Sequence, residues 1–197
     1  MKIMLFGGFL GSGKTTTLLQ VARYAVEQKK WKVAVIENEI GEVGLDDKLL
    51  TAGGLQVRPL FGGCVCCQIT SDLVTAIHDI HQEVQPDLLM IEVTGLAIPG
   101  NIVKTIEQYC RFHQGIKTVI LVDGSRWREL IEILEPLITS QVSGSQLILL
   151  NKADLAGAAV DRIRGELANI AGEAPIITIQ ATACFSPAEM EAVFDGS

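Results

Sequence analysis

The stretch Gly8-Phe9-Leu10-Gly11-Ser12-Gly13-Lys14-Thr15 follows a short apolar run, Lys2–Phe6, and opens an amphipathic stretch over Lys14–Gln28. A strand, a turn of the form G-x-x-x-x-G-K-[ST] and a helix together make a phosphate-binding arrangement. The glycines let successive backbone N–H groups point inward at phosphate oxygens. The helix N-terminus adds partial positive charge. Gly8, Leu10, Gly11, Ser12, Gly13 and Thr16 are expected to line the phosphates. Lys14 is expected to reach the β- and γ-phosphates, and Thr15 to place its hydroxyl on Mg²⁺. A plain glycine-rich turn is the weaker reading, because both flanking elements are in place.

Working outward, the same alternation continues along the chain. Short apolar runs at Lys32–Ile36, Leu55–Leu60, Leu88–Val93, Lys117–Val122, Gln146–Leu150 and Ile176–Ile179 read as strands covered on both faces. Amphipathic stretches at Ser71–Val84, Asn101–Phe112, Arg126–Ile138 and Val160–Ile170 read as helices, with a short last helix after Pro187. Such alternation predicts an α/β fold with a mainly parallel central sheet. The chain has 197 residues, enough for one substantial domain and one core, so residues 1–197 are read as a single domain.

Composition narrows the function. Lys plus Arg number 16 against 23 Asp plus Glu, a net charge of −7, and aromatics are 5%. That balance disfavours a phosphate-backbone footprint and a base-stacking surface, so nucleic acid is not an expected partner. No apolar run reaches a membrane span. The N-terminal MKIMLF leads into the glycine-rich loop rather than a cleavage site, so it reads as a first strand. The expected compartment is the cytoplasm, with reduced thiols.

Asn151-Lys152-Ala153-Asp154 follows the strand Gln146–Leu150. The Asp154 carboxylate can accept from both the ring N–H and the exocyclic amine of guanine, a donor pair that adenine lacks. Asn151 can contact the other base edge, and the Lys152 stem can cover the ring. Beside a phosphate loop, this sequence favours GTP over ATP. The strand Leu88–Val93 ends in Glu92-Val93-Thr94-Gly95-Leu96, which puts Glu92 at the crevice above the sheet. There Glu92 can order Mg²⁺ or its waters, and Gly95 can bring backbone to the γ-phosphate as a switch hinge. The acidic loop Glu37–Asp46 suits contact with metal.

Gly62-Gly63-Cys64-Val65-Cys66-Cys67 is the remaining cluster. Three thiolates suit Zn²⁺ or a similar ion and leave a fourth position for another ligand. A redox switch between Cys64 and Cys66 and a set of inert buried thiols stay open as alternatives. His78 and His81 share a helix face and are expected to face solvent.

In order and spacing, Gly8–Thr16, Glu37–Asp46, Gly63–Cys67, Glu92–Ala97 and Asn151–Asp154 resemble the CobW/HypB/UreG family of metal-centre GTPases, in its CobW-like branch. The resemblance spans about residues 3–155. It implies a P-loop NTPase three-layer sandwich and a cytoplasmic, Mg²⁺-dependent GTPase that binds zinc or cobalt. It further implies delivery of that metal to a client metalloprotein, or service to a cobalamin or corrinoid pathway. Lys14, Thr15, Glu92 and Gly95 would then be catalytic, and Asn151, Lys152 and Asp154 would read guanine. Cys64, Cys66 and Cys67 would hold the transfer metal, with Glu37 and Glu42 as further metal contacts. Slow intrinsic turnover and a nucleotide-dependent homodimer are expected. The C-terminal domain usual in the family, often histidine-rich, is expected to be absent, since the chain has 3 histidines.

Overall fold

A computed structural model describes residues 1–37, 55–59 and 68–195, with backbone alone at 56–59 and 68–70. Its strands are β1 Lys2–Gly7, β2 Val33–Glu37, β3 Leu55–Pro59, β4 Leu88–Glu92, β5 Ile116–Asp123, β6 Leu147–Asn151 and β7 Ile176–Thr178. They form one 7-stranded sheet in the order β3-β2-β4-β1-β5-β6-β7. Each neighbouring pair is parallel, so the sheet is parallel throughout. The helices are α1 Lys14–Glu27, α2 Gln68–Glu83, α3 Pro99–Tyr109, α4 Trp127–Val142, α5 Ala153–Ala156, α6 Val160–Ala171 and α7 Pro187–Phe194. A single 3₁₀ turn, Gly157–Ala159, joins α5 to α6. Among the described residues, no helix is long and apolar enough to cross a membrane.

The apolar runs become these strands because both faces of each are covered. Side chains alternate between two layers. Met4, Phe6, Val119 and Leu121 pack with Leu18, Val21, Ala22 and Ala25 of α1 and with Met190, Val193 and Phe194 of α7. Ile3, Leu5, Leu89 and Ile91 point the other way, onto Leu73, Ile77 and Ile80 of α2 and Ile106 of α3. Further along that face, Ile120, Val122, Ile148 and Leu150 meet Trp127, Leu130, Ile138 and Val142 of α4 and Ile163 and Leu167 of α6. Helices thus cover both faces, as a three-layer sandwich requires. The expectation from the phosphate loop holds in its architecture.

Element boundaries differ where a proline sits. Pro99 starts α3 two residues before the expected Asn101, because proline suits the first helical position. α4 runs on through Pro136 to Val142, with the break at Leu134 (φ −126, ψ 27). Ser140 Oγ donates back to the Pro136 carbonyl at 2.7 Å. α7 is held at both ends. Ser186 and Glu189 close a capping box at its start. The buried Lys117 of β5 donates to the carbonyls of Ala192 (3.3 Å) and Asp195 at its end. Burial there pushes the Lys117 ammonium below the usual lysine range.

Candidate nucleotide-binding site

The loops that follow β1, β4, β5 and β6 all open at the C-terminal edge of the sheet, where β2 also ends in Glu37. That edge is where open parallel sheets bind ligands. The phosphate loop, residues 8–13, turns out of β1 and ends at Gly13, the N-cap of α1. Gly13 sits at φ 95, ψ 22 and makes no side-chain cap. A Cβ there would lie 2.4 Å from Asn151 Nδ2, so only glycine fits both the backbone angle and the space. α1 also has no acidic residue in its first turn, in contrast to the boxed start of α7. A helix start with neither a side-chain cap nor an acidic residue is of the kind that suits an anion. Lys14 is buried, and its Nζ lies 3.4 Å from the Phe9 carbonyl it donates to. Leu10 and Thr16 are exposed at the mouth, and Ser12 is buried beneath it.

Carboxylates stand on the β2–β4 side. Thr15 Oγ1 donates to Glu92 Oε1 at 2.9 Å. Glu92 is buried at the end of β4, and its register partner across the sheet is Glu37 at the end of β2. Glu37 is half-buried, and its Oε1 has no hydrogen-bond partner among the described residues. Burial pushes its carboxyl above the usual range. A hydroxyl and two carboxylates in register, one with an unpartnered buried oxygen, are hard oxygen donors of the kind that Mg²⁺ takes. The donor set fits the ion.

On the β6 side, Asn151 is a bracket. Its Nδ2 donates to the Ser12 carbonyl at 2.8 Å, and its Oδ1 accepts from the N–H groups of Lys152 and Ala181, each at 2.8 Å. The carboxamide is buried and joins the phosphate loop, the loop after β6 and the segment after β7. Lys152 takes φ 57, and its ammonium pairs with the buried Asp123 carboxylate at 2.7 Å. Ser125 N–H and Oγ hold the other Asp123 oxygen, at 3.0 and 2.6 Å. Asp154 is exposed in the first turn of α5, with Gln180 Nε2 donating to its Oδ2 at 3.4 Å.

The chain matches the nucleotide-binding domain of the CobW/HypB/UreG family over residues 2–178. It belongs to that family. The zinc chaperone YjiA of Escherichia coli (strain K12) is 37% identical over 185 residues, which is 90% of this chain and 57% of that protein. Zinc-regulated GTPase metalloprotein activator 1 of Dictyostelium discoideum is 28% identical over 217 residues, covering 90% of this chain and 45% of the relative. The crystal structure of Zn(II)-bound YjiA GTPase from E. coli aligns with a TM-score of 0.70 at 30% identity, over 95% of this chain and 60% of that one. The chain thus spans about half the length of the curated relatives it matches.

In this CobW/HypB/UreG-family domain, two further features had no motif to announce them. Gln20, on α1, donates from Nε2 to the carbonyls of Ala181 (2.6 Å) and Ala183 (3.0 Å) and accepts from Phe185 N–H (3.3 Å). It fixes the segment that also binds Asn151. Gln141, on α4, reaches the turn after β4. Both contacts join residues more than forty positions apart, so no local pattern could have revealed them. Cys64, Cys66, Cys67 and Glu42 lie outside the described residues. Among the described residues, no group of three or more His, Cys, Asp or Glu is arranged to hold a metal. His78 and His81 do not simply face solvent. Both pack on Phe112, His81 stacked at 4.0 Å and His78 edge-on at 4.9 Å, with His78 Nε2 3.1 Å from the Tyr109 carbonyl. They tie α2 to the segment after α3.

Proposed function

We propose that this chain binds and hydrolyses GTP and couples its nucleotide state to a transition metal held by Cys64, Cys66 and Cys67. That metal is zinc, or cobalt in its place, and its destination is a client metalloprotein in the cytoplasm. The observation that carries the reading is the convergence of three parts at one sheet edge: the open start of α1, the Thr15–Glu92 pair beside Glu37, and the loop bearing Lys152 and Asp154. The relatives that share this domain are named as zinc chaperones and as a zinc-regulated GTPase metalloprotein activator.

In this reading the N–H groups of residues 8–16 and the Lys14 ammonium hold the phosphates. Thr15 and Glu92 hold Mg²⁺, with Glu37 as a further oxygen donor. When bound there, Mg²⁺ neutralises charge on the β- and γ-phosphates. Asp154 accepts from guanine, and the Lys152 stem, fixed through Asp123, covers the ring. Asn151 keeps these loops in register rather than standing free to read the base. Phosphoryl transfer is then mostly positioning and charge neutralisation. The sequence offers no motif for a residue that orients the attacking water, and slow turnover by the chain alone is part of this reading. A partner, or a second copy of the chain in a nucleotide-dependent dimer, completes the site.

Metal titration with and without a non-hydrolysable GTP analogue tests the coupling. The metal affinity should differ between the two states, and by reciprocity the metal should change GTP affinity by the same factor. Equal affinity in both states would overturn coupled transfer and leave the cysteines as a sensor, the arrangement expected of an assembly factor for a corrinoid enzyme.

A further inference from the structure

Gln141 is a polar side chain 2% exposed, on the sheet-facing side of α4. It is 46 residues along the chain from Gly95, yet its Nε2 donates to the Gly95 carbonyl at 2.9 Å. The same nitrogen donates to the Ala97 carbonyl, also at 2.9 Å. A buried amide that spends both its hydrogens on two carbonyls of one turn is costly to lose, because the buried Gly95 oxygen would be left unpaired and the part-buried Ala97 oxygen would lose its tether. The turn is Thr94–Ala97, closed by Ala97 N–H to the Thr94 carbonyl at 3.0 Å. Its other side lies against the phosphate loop: a Cβ on Gly95 would sit 2.7 Å from Leu10 N. The turn is therefore clamped between α4 and the loop that meets the phosphates. A small cavity of ≈ 10 Å³ separates Gly8 and Phe9 from Gln141 and Val142, so α4 lies directly beneath that loop.

We infer that Gln141 is the positioning residue that holds the turn Thr94–Ala97 ready for the γ-phosphate, and so sets the preference between GTP and GDP. The inference rests on the nucleotide-site reading above. A peptide group is planar, so fixing the Gly95 carbonyl toward α4 turns the Leu96 N–H to the opposite side. With the turn already ordered, a nucleotide that reaches it pays no further ordering cost. GDP lacks the γ-phosphate and gains nothing from this. Gln141 touches no substrate. It acts through the turn alone.

The test uses the 197-residue chain, titrated with a non-hydrolysable GTP analogue and with GDP. Gln141→Leu keeps the volume and removes both donors. It should weaken the GTP analogue about tenfold while GDP affinity stays within about twofold, and kcat should fall with it. Gln141→Glu serves as a second variant should the leucine not fold. Its carboxylate faces two carbonyl oxygens, and burial there raises its pKa. Above that pKa it repels the turn; below it, the acid regains one donor. The GTP-to-GDP affinity ratio of this variant should therefore recover as pH falls from about 8 to about 6, while that of the wild type does not follow it. A role limited to stability would lower Tm and leave both the ratio and its pH profile unmoved, and that result would overturn the inference. A wild-type chain that binds neither nucleotide would overturn the site reading, and this inference with it. A wild-type chain that binds both, with an unchanged ratio in the variants, would overturn the positioning role alone.

Discussion

Replacing Asn151 by alanine isolates the bracket that joins three loops. The wild-type carboxamide makes hydrogen bonds to Ser12 O, Lys152 N and Ala181 N, all at 2.8 Å, and is 2% exposed. At about 1 kcal/mol per buried neutral hydrogen bond, the loss is about 3 kcal/mol before any desolvation cost of the orphaned partners. For a domain of this size each kcal/mol moves Tm by about 2–4 °C, so nucleotide-free Tm should fall by about 6–12 °C. Guanine nucleotide affinity should fall as well, because Ser12 and Ala181 lose their common tether. Asn151→Asp is the sharper variant. It keeps the acceptor for two N–H groups and sets a second oxygen against the Ser12 carbonyl, so its penalty should be at least as large. Thermal unfolding without nucleotide, followed by titration with a fluorescent guanine nucleotide, measures both effects. A Tm change below about 2 °C with collapsed affinity would refute the bracket and restore Asn151 as a direct base contact.

Three further outcomes follow from the site. Gly13→Ala should abolish nucleotide binding and lower Tm, since its backbone sits at φ 95 and its Cβ would meet Asn151 Nδ2 at 2.4 Å; retained binding would discount the close approach. Glu37→Gln should stabilise the metal-free chain at neutral pH. Burial raises the Glu37 carboxyl in the folded state, so its contribution is present below the ordinary carboxylate pKa and is lost as pH rises through the raised one. The Tm advantage of the variant should therefore grow from about pH 4 to about pH 7, and a pH-independent difference would count against it. The same variant should gain less stability from added Mg²⁺ and nucleotide than the wild type. Cys66→Ser should lower metal affinity and leave apo-state GTP binding nearly intact; an equal loss of both would indicate misfolding.

Much of the architecture was legible because the strands are buried on both faces. Leu88–Glu92 and Leu147–Asn151 are buried at every position, so their apolar runs stand out against the amphipathic stretches between them. At the phosphate loop the signal is local, because Gly13, Lys14 and Thr15 are contiguous, and the structure sets that turn between β1 and α1. Such signals say less where a side chain acts across the fold. Asn151 reads as a base-contacting residue in its tetrapeptide, but its partners Ser12 and Ala181 come from distant loops. Gln20 and Gln141 carry no motif, and a glutamine on a helix is ordinarily solvated. The helix expected over Arg126–Ile138 already ran through Pro136; the structure adds a break at Leu134 and carries the helix on to Val142. The two histidines looked solvated because Phe112, which they cover, lies on another element.

That break divides α4 into two lengths with separate moorings. The outer length is anchored by Trp127, buried and donating from Nε1 to Glu166 of α6. The inner length carries Gln141 and the grip on the turn after β4. A straight helix would pass a shift of that turn along its whole axis, and so into the packing of α6. A helix interrupted at its middle behaves as a mechanical joint, taking up displacement by a few dihedral changes near Leu134. Both lengths pack on the same strands, and amide exchange should report them as separate cooperative units if the break acts as such a joint.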